Sequence, residues 1–297
     1  MTALRGADVP RFDINDNVKQ KQMLEYLEEH GYAVVANVAS EEDISSAKVQ
    51  FWEYFCKTNG SIKPSNPSTW NTDWPASSVD GICSAKGFNH SEFLWQARLL
   101  PAVKRAFSLI WETDELLVSF DTGNVFRPWQ YNREWLTQGG WWHTDQNAFK
   151  IDRQGKRCVQ GLVTYFDANE NTGGLCVIPG SHHSHNEVCA RCGNGDKSMD
   201  YISINKDDPV LDNKGLLIYA RAGDLILWDS RTVHCNTPAL TVDAHNSFLT
   251  TASCATAGII ENKVCSVPLS NTGEFASEGL LSRETGVSGT SSNVDII

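Results

Sequence analysis

From Leu116 onward the chain breaks into short apolar runs: LLVSF, CVQGLVTYF, GGLCVIP, GLLIYA, DLILWD and FLTTASC, set apart by Gly, Asn, Asp or Pro. Nothing else in the sequence constrains the fold as much. Apolar runs this short between turn residues read as β-strands rather than helices. Helical patterns do not alternate with them, which argues against a parallel α/β sheet and predicts an all-β sandwich or barrel.

The helical signals lie upstream, roughly over residues 16–112. Residues 16–30 place Met23, Leu24 and Leu27 at helical spacing, with Gly31 as the stop. Tyr32–Val38 reads as a short buried strand. Ser40-Glu-Glu-Asp43 is a capping-box start, and the helix behind it sets Ile44, Ala47, Phe51 and Phe55 on one side before Asn59-Gly60. Residues 61–89 are rich in Ser, Pro, Asn and Gly and read as loop. A second helical stretch, SEFLWQARLLPAVKRAFSLIW, is broken near Pro101. Residues 185–213 read as a polar insertion between strands. The expectation is one domain over residues 1–269 with a flexible tail at 270–297.

The formal net charge of −11 disfavours nucleic acid and anionic membrane surfaces as partners. No apolar run is long enough to span a bilayer, and the start MTALRGADVPRF lacks the apolar core of a signal peptide. Nine scattered cysteines predict reduced thiols in the cytoplasm. The Cys189-Ala-Arg-Cys192 pair, with His182, His183 and His185 nearby, has no second matching pair for a zinc site. It reads as a solvated loop or an active-site rim. Oligomeric state leaves no signal.

The chemistry centres on Trp141-Trp142-His143-Thr144-Asp145-Gln146. A His-x-Asp is weak alone, and looser versions occur at His90-Ser-Glu92 and His185-Asn-Glu187. At the end of a strand, however, residues i and i+2 project to one face, so His143 and Asp145 point together while Trp141 and Trp142 point to opposite faces. A second His would complete a 2-His-1-carboxylate triad, the donor set of non-haem Fe(II) oxygenases. The candidate is His234, near the end of the strand-like segment GDLILWDSRTVHCNTP and about ninety residues after Asp145.

Three pieces together resemble the phytanoyl-CoA dioxygenase family: WWHTDQN, the run Asn171-Thr-Gly-Gly-Leu-Cys-Val-Ile-Pro-Gly-Ser-His182, and WDSRTVHCN with His234. The resemblance covers roughly residues 20–260. It implies a mainly β fold with flanking helices, a double-stranded β-helix of the jelly-roll, cupin-like kind. It also implies Fe(II) on His143, Asp145 and His234 as the catalytic centre. 2-Oxoglutarate and O2 would be co-substrates, and a small organic molecule would be hydroxylated or otherwise oxidised. An intact Asp145 argues against a halogenase.

One departure is plain. The family places an Arg about ten residues after the distal His, where it pairs with the far carboxylate of 2-oxoglutarate. Here no Arg or Lys occurs from Thr232 to Asn262. The candidates for that pocket are Arg231, Asn236, Gln160 and His245, with Arg127 and Arg157 as more distant cations. The gap leaves two other readings open. One is a cupin-like Zn(II) or Mn(II) hydrolase or isomerase, and the other is a non-catalytic binding protein.

Overall fold

A computed structural model describes residues 5–71, 74–83, 87–118, 121–150, 157–193, 195–213, 215–241 and 263–268. The FLTTASC run and the tail expected at 270–297 lie outside the described residues. Two six-stranded sheets face each other. The first runs β1 (Arg5–Ala7), β9 (Leu216–Ile218), β7 (Gly173–Val177), β11 (His234–Pro238), β5 (His143–Thr144), β8 (Ile202–Ser203). The second runs β2 (Arg11–Phe12), β3 (Tyr32–Val35), β10 (Leu225–Asp229), β6 (Val159–Val163), β12 (Lys263–Pro268), β4 (Leu116–Val118). This is the expected jelly roll.

Side-chain alternation sorts the apolar residues into three sets. Inside the roll, Leu175, Val177, Leu216 and Ile218 of the first sheet meet Tyr32, Val34, Leu162, Ile226 and Trp228 of the second. On the outer face of the second sheet, Ala33, Val35, Val159, Val163, Leu225 and Leu227 pack under the N-terminal helices. On the outer face of the first, Cys176, Leu217 and Cys235 pack under α5 (His185–Cys192). Parity alone puts Leu225 and Leu227 outside and Ile226 inside on the same strand.

The helices follow their local signals. Asp16 caps α1 (Asn17–His30) by accepting from Val18 N and Lys19 N, and Gly31 ends it at φ 78°. Ser40 and Asp43 form the capping box of α2 (Glu41–Thr58). Pro101 separates α3 (Glu92–Leu99) from α4 (Pro101–Trp111), where it occupies the first turn and needs no N–H partner. Phe107 of α4 lies so close to β6 that a Cβ on Gly161 would sit 3.0 Å from its ring. Among the described residues, no helix is long and apolar enough to cross a membrane.

Candidate metal centre

The register sets His143 of β5 directly opposite His234 of β11. After Thr144 the chain turns, because Asp145 N and Gln146 N both donate to Ser230 O, at 2.9 and 3.3 Å. That turn brings the Asp145 carboxylate between the two imidazoles. Oδ1 lies 3.2 Å from His143 Nε2, and Oδ2 lies 3.2 Å from His234 Nε2. Among the described residues, this trio is the one group of three or more such side chains whose ligand atoms lie within 4.8 Å of one another.

Backbone carbonyls fix both rings. His143 Nδ1 lies 3.0 Å from Trp141 O, and His234 Nδ1 lies 2.9 Å from Thr232 O. A carbonyl only accepts, so each Nδ1 carries the proton and each Nε2 presents a lone pair in the neutral ring. His234 Nε2 is buried and has no hydrogen-bond partner. Leaving such an atom bare costs about 1–3 kcal/mol. A cation bound by two imidazoles and a carboxylate satisfies it, so the donor set fits a divalent metal.

The surroundings hold this geometry. Trp141 stacks on His143 at 4.4 Å between ring centres, and its Nε1 donates to Asn236 Oδ1 at 2.7 Å. Asn236 Nδ2 donates to Asp80 O. Gln160 Nε2 donates to Asp145 Oδ2 and, at 3.0 Å, to Ser230 Oγ. The Pro-Gly-Ser-His loop supports β11 from behind: Val233 N donates to Ser181 Oγ at 2.8 Å, and His182 Nε2 lies 3.0 Å from Glu28 O at the end of α1. Burial pushes the His182 pKa down, which suits a neutral ring.

Of the residues read as co-substrate contacts, Asn236 and Gln160 thus stand beside the trio. Arg231 makes a two-point pair with Asp229, at 2.9 and 2.7 Å. Arg157 Nε lies 2.9 Å from the same carboxylate. Burial pushes the Asp229 carboxyl up, and the Arg231 and Arg157 guanidinium groups more than offset it, so its pKa falls. Arg127 donates to Trp70 O at 2.8 Å, and burial lowers its pKa to about 10. His245 lies outside the described residues.

The insertion contributes more than its polar composition signals. His185 Nε2, on α5, lies 2.8 Å from Gln146 O and 3.2 Å from Cys189 Sγ, so α5 braces the residue after Asp145. Cys192 Sγ lies 3.3 Å from Asp208 Oδ2 instead. Thirty-nine residues separate His185 from Gln146, and no local pattern marks the pairing.

The family model for phytanoyl-CoA dioxygenase (PhyH) matches residues 27–243. The Ava biosynthesis cluster protein O of Aspergillus versicolor is 33% identical over 178 residues, covering 56% of this chain and 56% of that protein, so the match spans little more than half of that relative. A putative phytanoyl-CoA dioxygenase of Dictyostelium discoideum is 25% identical over 247 residues, 71% of this chain and 68% of that protein. The epimerase SnoN, solved with Fe3+, alpha ketoglutarate and nogalamycin RO, shares the fold at 13% identity and a TM-score of 0.54, covering 85% of each chain. The chain belongs to the phytanoyl-CoA dioxygenase family.

Proposed function

We propose that this protein is an Fe(II)- and 2-oxoglutarate-dependent dioxygenase that oxidises a small organic molecule. The observation that carries the reading is the pair of imidazoles, each tied to a carbonyl through Nδ1, with both Nε2 atoms aimed at one carboxylate. His143, Asp145 and His234 would hold the metal. Bound there, iron supplies the activation of O2 that oxidative decarboxylation of 2-oxoglutarate drives. The chain's own part is to fix both rings through Nδ1 so that each Nε2 faces Asp145, and to hold Asp145 through Gln160. Trp141 covers one face of His143.

The far carboxylate of 2-oxoglutarate needs a cation, and Arg231 and Arg157 are engaged by Asp229. A cytoplasmic setting belongs to the same proposal, supported by seven described cysteines present as thiols.

The test is succinate formation by protein loaded anaerobically with Fe(II), then given O2 and 2-oxoglutarate, with a thermal-shift assay alongside. The expected result is iron-dependent succinate and a 2-oxoglutarate-dependent rise in melting temperature, both lost in His143→Ala and Asp145→Ala. Iron-loaded protein that shows neither response overturns the proposal.

A further inference from the structure

Residues 185–213 leave the roll after β7 and return before β9, and on the way they form β8. This strand pairs antiparallel with β5, with Ser203 opposite His143 and Ile202 opposite Thr144. The sheet therefore gains an edge strand directly beside β5, which carries His143.

Burial alternates along this segment. Tyr201, Ser203 and Asn205 are exposed, while Ile202 and Ile204 are buried. Both isoleucines belong to the outer apolar cluster with Trp142 and Cys235. Successive side chains of a strand point to opposite faces, and directly opposed residues share one. Ser203 therefore stands on the face that carries His143, and the alternation of burial puts Tyr201 on the same side of the segment as Ser203.

Two exposed apolar side chains lie just before Ser203: Tyr201 is 40% exposed and Met199, two residues earlier, is 41% exposed. Trp141 adds a half-buried indole two residues before His143. The nearby cations are already neutralised, Lys150 by Asp200 at 2.6 Å and Arg191 by Asp208 at 2.7 Å. Ser203 is small, and its hydroxyl can donate or accept one hydrogen bond.

We propose that Tyr201 and Ser203 form the substrate wall beside the metal, and that the substrate is an uncharged, ring-bearing small molecule whose ring rests on Tyr201. Such a wall has meaning only if the metal centre proposed above exists. An aromatic face offers stacking without demanding charge, and Ser203 leaves the space next to His143 free for the ring.

The experiment loads the full chain with Mn(II) and follows the ring protons of p-cresol by paramagnetic relaxation. Wild type is expected to enhance their relaxation. Tyr201→Ala weakens p-cresol binding roughly tenfold, Tyr201→Phe retains it, and Ser203→Trp blocks it, all with unchanged Mn(II) affinity. Absence of Mn(II) binding to wild type overturns the metal centre and the substrate wall together. Bound Mn(II) with no enhancement, or with enhancement indifferent to Tyr201→Ala and Ser203→Trp, overturns the substrate wall alone.

Discussion

Trp141 Nε1 donates to Asn236 Oδ1 at 2.7 Å, and this bond joins the two strands that carry His143 and His234. Asn236 stands two residues after His234, and the Trp141 ring lies flat on His143 at an interplanar angle of 14°. Partners that orient metal-binding side chains typically change metal affinity 10–100-fold when removed. Trp141→Phe keeps a stacking ring and loses the N–H. We expect it, and Asn236→Leu, to weaken Mn(II) binding about tenfold in a titration. Unchanged affinity in both variants would show that the two strands hold the imidazoles without this link.

Gly31 ends α1 where the Pro-Gly-Ser-His loop and the β10–β11 turn converge. Its φ is 78°, and an added Cβ would collide with Thr232 Oγ1 and the His182 ring. A left-handed non-glycine residue costs about 1–2 kcal/mol, and overpacking adds about 1–3 kcal/mol. Gly31→Ala should therefore destabilise the fold by roughly 2–5 kcal/mol in urea denaturation. Because Thr232 O holds His234, metal affinity should fall as well. A loss below about 1 kcal/mol would mean that the junction relaxes freely.

Arg191 holds Asp208 by two hydrogen bonds, at 2.7 and 2.8 Å, and anchors the end of α5 to the segment leading into β9. This hydrogen bonding lowers the Asp208 pKa from 3.8 to about 2. A depressed carboxylate stabilises the fold above its unfolded pKa and loses that contribution as pH falls through the folded one. Arg191→Gln should therefore cost up to ~2 kcal/mol at pH 7, less any screening at the open Arg191 side. The difference should shrink from about pH 4 downward and vanish near pH 2. A pH-independent difference would assign the effect to packing.

The metal trio is legible in the sequence because its parts are local. His-x-Asp on a strand end and a His before a turn each follow from two-residue periodicity, and β6, β7, β9 and β10 each carry their own apolar run. The role of the insertion is not legible. Ile202 and Ile204 alternate with polar residues over too short a stretch to mark β8, and its pairing with β5 spans about sixty residues. The same holds for His185 and Gln146, which meet only after α5 docks. Arg231 illustrates the opposite limit. Its nearness to His234 in sequence suggests a co-substrate contact, but Asp229, two residues before it, takes its guanidinium.

Gln160 ties the carboxylate of the metal trio to the second sheet. Its Nε2 donates to Asp145 Oδ2 and, at 3.0 Å, to Ser230 Oγ. An orienting partner of this kind is typically worth 10–100-fold in metal affinity. We therefore expect Gln160→Leu to weaken Mn(II) binding about tenfold in a titration. Unchanged affinity would show that the backbone turn at Ser230 holds Asp145 without this bond.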